Sequence, residues 1–112
     1  RPGIILETIG RRSGSPRRVV LTYLPDGERI VVIASNYGRE GHPAWYRNIE
    51  AEENVTIIYK SFRRPYRARI AVGEERLQYL RATDDATYGV YAAYARKTSR
   101  EIPVVILEPT PK

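Results

Sequence analysis

The sequence contains no cysteine and a single histidine, His42. Without cysteine the chain can form neither disulfide bonds nor thiolate metal sites. One imidazole is too few for a histidine-built metal centre, and nothing in the sequence pairs it with a serine and an acid in the manner of a catalytic triad. We therefore expect no metal ion in the functional site.

Long apolar stretches are also missing, because no run approaches the roughly 20 residues that a membrane-spanning helix needs. No signal peptide is visible. The length fits one domain, residues 1–112, with one hydrophobic core. The sequence starts at Arg1 and not at methionine, so we expect an N-terminal segment upstream that would carry any anchor or address.

Lysine is scarce among the basic residues: it provides three of the 19 cations, and the other 16 are arginine. The formal net charge is +6. Arginine offers planar pairs of donors to phosphate and carboxylate groups. Each of two clusters therefore fits either a solvated basic surface or a site for a polyanionic ligand or nucleic acid. The clusters are Arg11, Arg12, Arg17 and Arg18, and then Arg63, Arg64, Arg67 and Arg69.

Hydrophobic patterning predicts six strands and two helical regions. Ile30–Ala34 is apolar on both faces, which is typical of a strand inside a closed or covered sheet. Strands and helices do not alternate regularly, which disfavours a doubly wound parallel sheet. We expect an α+β fold, a mostly antiparallel barrel of about six strands with flanking helices at its ends. The predicted strands are Ile4–Ile9, Arg17–Leu24, Arg29–Ser35, Val55–Tyr59, Tyr66–Val72 and Ile102–Leu107.

The first helix is predicted over Pro43–Glu53, with His42 as its N-cap and proline at its first position, where the missing N–H costs nothing. The second helical region covers Gly73–Lys97. It should break near Thr83–Asp85, where Thr83 would cap a new helix. The strand before it alternates in polarity, which predicts one shared face for Tyr66, Ala68, Ile70 and Val72.

The turn over Gly10–Arg17 reads Gly-Arg-Arg-Ser-Gly-Ser-Pro-Arg. Its glycines let backbone N–H groups face an anion without a Cβ in the way, and the arginines and Ser13 add charge and donors. It lacks the Gly-Lys-Ser/Thr of a phosphate-binding P-loop. The pattern fits an anion-binding turn and a plain basic hairpin turn about equally well.

Two further motifs involve aromatic residues. Ser35–Asn48 joins the buried strand to the first helix, whose N-terminus favours an anionic or electron-rich group; Trp45 within it is expected in the core. A tyrosine stripe at helical spacing follows later in the chain. Core packing explains such a stripe, but tyrosine hydroxyls need partners, so the stripe could instead close on a planar substrate. Its members are Tyr88, Tyr91 and Tyr94.

In this order, the motifs resemble the deazaflavin-dependent nitroreductase and quinone reductase family of actinobacteria, and the resemblance spans nearly the whole chain. The matching residues are Thr8–Gly14, Pro16-Arg17, Tyr23-Leu24, Asp26-Gly27, Ala34-Ser35, Gly38, His42–Tyr46, Asn48, Asn54-Val55, Tyr88, Tyr91, Tyr94 and Arg100–Val104. The family implies a split β-barrel of the FMN-binding type. It also implies coenzyme F-420, a 5-deazaflavin with a phosphate and an oligoglutamate tail, whose reduced form passes hydride to quinones or nitroaromatics.

The resemblance also implies roles for individual residues. The phosphate would be held by Arg11, Arg12, Ser13, Gly14 and Arg17, and the ring would be lined by Ser35, Asn36 and Trp45. The acceptor pocket would be shaped by Tyr23, Tyr88, Tyr91 and Tyr94. Ser35 and Tyr91 are the candidate catalytic residues. Since such a cofactor carries the redox chemistry itself, the protein needs no acid–base pair of its own.

Ser35 has two interpretations. It ends the buried strand, so its hydroxyl could lie at the barrel rim and hydrogen-bond an acceptor oxygen that gains negative charge. It could equally satisfy a backbone group in the turn. Family members often have lysine or glycine at the next position, where this chain has Asn36 followed by Tyr37, and that leaves the acceptor range open.

Two other functions stay open. One is an FMN-binding reductase on the same barrel, and the other is a non-enzymatic nucleic-acid module in which some of the nine tyrosines stack on bases. The resemblance favours a small-molecule acceptor and no nucleic acid. It also favours a cytoplasmic location, with peripheral contact to the inner face of the membrane through the segment upstream of Arg1 as an open alternative.

Overall fold

The computed structural model describes residues 3–87 and 89–111, and the side chain at position 91 lies outside the description. The strands are β1 (Gly3–Ile9), β2 (Pro16–Thr22), β3 (Leu24–Asp26), β4 (Arg29–Ile33), β5 (Asn54–Tyr59), β6 (Phe62–Ile70) and β7 (Val104–Pro109). The helices are α1 (Ala44–Ala51), α2 (Gly73–Ala86) and α3 (Val90–Ala95), and Asn36–Gly38 forms a 3-10 turn. Over the described residues, no helix has the length and apolarity to span a bilayer.

The seven strands form one antiparallel sheet in the order β2-β1-β5-β6-β7-β4-β3. Its two edge strands, β2 and β3, follow each other in the chain and are separated only by Tyr23. The sheet therefore curls until its edges meet at that residue. The predicted α+β class and antiparallel barrel are confirmed. The strand count rises from six to seven because the predicted run Arg17–Leu24 divides at Tyr23 and passes from one edge to the other.

The main core lies inside the curl. It collects inward side chains of five strands around the apolar face of α1, and its fully buried members include Leu6, Ala34, Val105 and Leu107. A smaller cluster on the outer face packs Val31, Val104 and Ile106 beneath α2. Strands β4 and β7 are thus covered on both faces, as the doubly apolar run Ile30–Ala34 predicts, because successive side chains point to opposite faces.

Three boundaries differ from the predictions. The helical break is not at Thr83–Asp85: Thr83 lies inside α2, which ends at Ala86. The next helix begins at Val90 after Gly89, whose φ of 85° is a conformation that glycine adopts without strain. His42 does not cap α1; Pro43 takes the N-cap position without a side-chain hydrogen bond. The helix ends at Ala51, two residues early.

The alternation over Tyr66–Val72 is also broken. Tyr66 and Ala68 are buried as predicted, but Ile70 is 39% exposed and Val72 is 74% exposed. Ala71 is buried in their place because its N–H donates to the Val104 carbonyl before the chain turns into α2. The strand itself begins four residues earlier than predicted, at Phe62, because it pairs with β5 from the turn onward.

Candidate active site

Two cavities lie side by side at the edge of the barrel and share four lining residues: Val19, Asn36, Pro43 and Trp45. The first, of about 590 Å³, lies between the Gly10–Arg17 turn and the start of α1. The second, of about 630 Å³, lies between β2, β4 and the helices α2 and α3. The shared wall makes them two parts of one candidate site.

The Gly10–Arg17 turn is closed by its own hydrogen bonds. The Gly10 N–H donates to the Ser15 carbonyl (2.8 Å), and the Gly14 N–H donates to the Gly10 carbonyl (2.8 Å). The Ser15 N–H donates to the Ser13 hydroxyl (3.1 Å). These donors are occupied within the turn, so Gly14 serves through its φ of 72° and lines neither cavity.

The cations of this turn have few partners. Among the described residues, Arg11, Arg12 and Arg17 form no ion pair with a carboxylate, whereas Arg18 binds Glu7 at 2.9 Å. Within the described part of the chain, the Arg17 guanidinium donates to the Ser13 hydroxyl alone, at 3.3 Å. All four arginines line the first cavity, and its lining includes no acidic residue from residues 3–87 and 89–111. The first cavity therefore carries positive charge that an anionic group would neutralise.

The second arginine cluster is neutralised by carboxylates on neighbouring elements. Arg69, for example, pairs with both Glu75 (2.7 Å) and Glu108 (3.1 Å), and these contacts raise the pKa of its guanidinium. The other pairs are Arg63–Glu7, Arg64–Glu28 and Arg67–Glu53. The charges of this second cluster are therefore used in ion pairs within the fold. The sequence alone could not distinguish its paired arginines from those of the first cluster, because the pairing depends on how the strands are placed beside each other.

Asn48 anchors the turn to α1. Its amide Oδ1 accepts from the backbone N–H of Arg11 (3.2 Å) and from the Arg11 guanidinium (2.9 Å). Its Nδ2 donates to the Thr8 hydroxyl at 3.1 Å, and the residue is only 4% exposed. Sequence reasoning gave Asn48 no role. The available signal was a polar residue on the apolar face of the helix, three positions after Trp45.

Trp45 belongs to both the core and the site. It is 8% exposed and packs in the main core, as expected. It also lines both cavities, together with Asn36. The same tryptophan is thus both a core residue and part of the shared wall.

The second cavity is mostly apolar, and none of the described residues that line it carries a charge. Its lining includes Tyr23, Ser35, Tyr37 and Tyr94. The rings of Tyr37 and Tyr94 meet edge to face at 6.1 Å. The predicted site residue Tyr88 and the side chain of Tyr91 lie outside the described part of the chain.

The hydroxyl of Ser35 is free of partners in the described structure. Ser35 stands at the N-cap of the 3-10 turn, yet its side chain makes no capping hydrogen bond. The next two residues, Asn36 and Tyr37, have left-handed backbone angles (φ 49° and 57°), and the Asn36 amide donates to the Gly41 carbonyl at 2.8 Å. The turn is held by other groups, so the hydroxyl is available to the second cavity.

The imidazole of His42 lines the first cavity beside Tyr46, with 4.8 Å between ring centroids. Desolvation lowers the pKa of His42, and the nearby charges of Arg100 and Arg47 lower it further. Its neutral form therefore predominates at neutral pH, and the positive charge of this cavity comes from arginine.

The model of the F420H(2)-dependent quinone reductases matches residues 1–109. The chain belongs to the F420H(2)-dependent quinone reductase family. A putative F420H(2)-dependent quinone reductase of Mycobacterium tuberculosis is 36% identical over 108 residues, which are 96% of this chain and 90% of that protein. A solved F420-H2 dependent reductase, FDR-A, matches with a TM-score of 0.85 at 36% identity over 96% of this chain and 95% of that one.

Because the chain belongs to this family, it is an F420-dependent oxidoreductase, as the resemblance predicted. The family's dependence on the reduced cofactor implies coenzyme F-420 as its cofactor. The fold extends to more distant proteins: a putative pyridoxamine 5'-phosphate oxidase from Listeria innocua matches with a TM-score of 0.67 at 11% identity, over 99% of this chain and 86% of that one. The split-barrel prediction is confirmed.

Proposed function

We propose that the chain transfers hydride from reduced coenzyme F-420 to a quinone-like or nitroaromatic acceptor. The observation that carries this proposal is that the site has two parts, joined at Trp45. One cavity is lined by arginines and by no acidic residue among those described, and the other is uncharged over its described lining and contains tyrosines. When bound, the cofactor supplies the hydride, and the protein supplies the two environments. The first cavity suits a phosphate, and the second suits a flat, uncharged acceptor.

The cofactor's phosphate would meet Arg11, Arg12 and Arg17. The support is that these guanidinium groups have no carboxylate partner among the described residues, so they can make charge-assisted bonds to an anion without breaking an existing pair. Ser13 would hold Arg17 in place, and Gly14 would set the path of the turn. The deazaflavin ring would lie at the shared wall, against Trp45 and Asn36.

Ser35 would stabilise the acceptor. Its hydroxyl is not used in the turn that follows it, and it lines the neutral cavity, where a hydrogen bond to an oxygen that gains charge is stronger than in water. Tyr23 and Tyr94 would form walls for the acceptor ring. For Tyr88 and Tyr91 the proposed acceptor roles, including a catalytic role for Tyr91, rest on the family resemblance.

The pairing of the second arginine cluster argues against the nucleic-acid alternative. Arg63, Arg64, Arg67 and Arg69 each have a carboxylate partner, so they offer little free charge to a phosphate backbone, the main source of affinity for nucleic acid. The FMN alternative differs only in the ligand that enters the cationic cavity. A cytoplasmic location, and membrane contact through a segment upstream of Arg1, stay predictions.

The test of this proposal is a competitive titration. Coenzyme F-420, FMN and a single-stranded oligonucleotide are added in turn while the fluorescence of Trp45, the only tryptophan, is recorded. We expect tightest binding for coenzyme F-420, because three unpaired arginines suit an extended polyanion. Equal or tighter binding of FMN in the same buffer would contradict the cofactor assignment. Saturable binding of the oligonucleotide, with no binding of either cofactor, would contradict the proposal that the chain is an F-420-dependent reductase.

The acceptor is tested separately by single-turnover oxidation of the bound reduced cofactor. A benzoquinone or naphthoquinone and a nitroaromatic of similar size are compared. If the quinone oxidises the bound reduced cofactor and the nitroaromatic does not, the proposed acceptor is limited to quinones. If neither compound oxidises it, the acceptor assignment is contradicted, and the cofactor assignment is decided by the titration.

A further inference from the structure

Arg100 lines neither cavity, yet its guanidinium holds the loop that borders both of them. Its Nη2 donates to the carbonyl oxygens of Ala34 (3.1 Å) and Ser35 (2.8 Å). Its Nε donates to the carbonyl oxygen of Arg39 at 3.0 Å. One planar group thus fixes three carbonyls over six residues of the segment between β4 and α1, with donors in a fixed fork on separate nitrogens, whereas a lysine ammonium carries its donors on one nitrogen at the end of a flexible stem.

The third nitrogen of Arg100 reaches His42. The Nη1 to Nδ1 distance is 2.9 Å, and since a guanidinium can only donate, Nδ1 must accept and the imidazole must be neutral. The lowered pKa of His42 agrees with that state. His42 lines the first cavity, so Arg100 is tied both to the end of β4, which borders the acceptor cavity, and to a wall of the cofactor cavity.

The segment that carries Arg100 and the loop are linked a second time, through a side chain of the loop. The Glu40 carboxylate accepts from the hydroxyl of Thr98 and from the N–H and hydroxyl of Ser99, the last two at 3.1 Å. The Ala34 N–H donates to the Pro103 carbonyl at 3.0 Å. Residues 34–42 and 98–103 therefore bind each other along their length.

The loop needs this support because of its backbone. Asn36 and Tyr37 are consecutive non-glycine residues in the left-handed region, which is unfavourable unless the surroundings impose it. Gly38, at φ 79°, packs so closely on the end of α3 that an added Cβ would lie 2.8 Å from the Tyr94 carbonyl oxygen. Without the bonds from Arg100, a more relaxed backbone would move Ser35 and Asn36.

We propose that Arg100 is the positioning residue of this site: it holds the 34–42 loop with Asn36, Tyr37 and Gly38 at positive φ, so that Ser35 faces the acceptor cavity and Asn36 and His42 border the cofactor cavity. The part of this inference that concerns turnover rests on the proposed function. The part that concerns the loop stands on the hydrogen bonds alone, and the two are measured separately.

The test compares Arg100→Lys with Arg69→Lys. Arg69 makes a similar number of charge-assisted bonds, to Glu75 and Glu108, but lines neither cavity. Hydrogen exchange is measured at the amides of Gly38 and Arg39, which donate to the Ser35 and Asn36 carbonyls. We expect exchange at these amides to rise by about tenfold or more in Arg100→Lys, and to stay as in the parent chain in Arg69→Lys.

Kinetics provide the second readout. Single-turnover oxidation of reduced coenzyme F-420 by a quinone should slow by about tenfold or more in Arg100→Lys, and the affinity for the cofactor should fall less than the rate, because Arg11, Arg12 and Arg17 are unchanged. In Arg100→Ala, added methylguanidinium well below denaturing concentrations should restore part of the rate. It should not affect Arg69→Ala.

Unchanged exchange at Gly38 and Arg39 in a folded Arg100→Lys variant would overturn the proposal, and so would an equal increase in Arg69→Lys. If Arg100→Lys does not fold, Glu40→Ala loosens the same loop from the other side and must raise exchange at the same amides. If the parent chain binds reduced coenzyme F-420 but no quinone or nitroaromatic oxidises the bound cofactor, the proposed function is contradicted. The hydrogen-exchange result then decides the role of Arg100 in the loop by itself.

Discussion

The Oδ1 atom of Asn48 accepts two hydrogen bonds from Arg11, one from the backbone N–H and one from the guanidinium. A neutral amide inside α1 thus orients a cation at the mouth of the first cavity without neutralising it. This relationship predicts the effect of a single-atom change: Asn48→Asp keeps the shape but places a carboxylate against Arg11.

In Asn48→Asp the new charge would pair with Arg11 and repel the phosphate, so affinity for coenzyme F-420 should fall by about tenfold or more, or about 1.4 kcal/mol. Binding is measured by titration of Trp45 fluorescence at low and high salt. Asn48→Ser, which loses reach but adds no charge, is the control and should lose less affinity. A tighter complex in Asn48→Asp would show that Arg11 does not face the anion.

Arg12→Ala should weaken binding of the cofactor by about 1.5–3 kcal/mol, the range for a hydrogen bond to a charged group. The thermal midpoint should hardly change, since Arg12 is exposed and has no carboxylate partner among the described residues. Arg67→Ala is the matched control, because Arg67 is an exposed arginine paired with Glu53. A large midpoint loss with unchanged affinity in Arg12→Ala would mean that the turn is structural.

Ser35→Ala should lower single-turnover oxidation of the reduced cofactor by roughly tenfold to a hundredfold, about 1.4–2.8 kcal/mol of barrier. Stability should change little, because the hydroxyl makes no capping bond in the described structure. Ser61→Ala, in the exposed turn between β5 and β6, is the control. The same rate in both variants would remove Ser35 from the site.

Tyr94→Ala should raise the KM for the acceptor more than the Kd for the cofactor, because Tyr94 lines only the neutral cavity. Tyr91→Phe and Tyr91→Ala test a second member of the stripe in the same assay. Unchanged acceptor kinetics in all three variants would assign Tyr91 and Tyr94 to packing.

Glu7→Gln should lower the free energy of unfolding by about 1–2 kcal/mol, since the nearly buried Glu7 accepts charge-assisted bonds from two partly exposed arginines, Arg18 and Arg63. The control Glu53→Gln, which breaks an exposed pair with Arg67, should cost no more than about 1 kcal/mol. Urea denaturation of both variants at neutral pH measures the difference. Equal losses of unfolding free energy in the two variants would mean that the burial of Glu7 does not strengthen its ion pairs.

The stabilising effect of Glu7 should also depend on pH. The hydrogen bond from Arg18, aided by Arg63, holds the pKa of Glu7 below the ordinary value of 4.5 despite its desolvation. Between the folded and unfolded pKa values the unfolded chain binds more protons, so the contribution is complete above 4.5 and disappears as the pH falls through the folded pKa. The stability difference between the parent chain and Glu7→Gln should therefore shrink in acid.

Local patterns predicted much of the fold. The doubly apolar run Ile30–Ala34 indicated a strand with both faces covered, and the glycine- and arginine-rich turn was placed correctly between β1 and β2. The helical break was misplaced because threonine and aspartate are tolerated within a helix, whereas the left-handed Gly89 marks the actual interruption. In these cases the deciding information lies within a few residues.

The site was less predictable because its geometry depends on distant partners. Asn48 meets Arg11 across 37 positions, and Arg100 meets Ser35 across 65. No periodicity encodes such contacts. Likewise, Arg63 and Arg12 look alike in the sequence. Arg63 is paired because Glu7 lies within reach on β1, two strands away in the sheet, whereas Arg12 has no carboxylate partner among the described residues.

The position of β7 between β6 and β4 has a consequence for biosynthesis. Ile30 in β4 pairs with Leu107 in β7, so one edge of β4 is covered only after many further residues, including β5 and β6, have been made. Pairings this distant in sequence slow folding, and the uncovered edge of an apolar strand can pair with another chain. Until β7 has been made, this edge of β4 is therefore open, and a chaperone that covers it would prevent such pairing in the nascent chain.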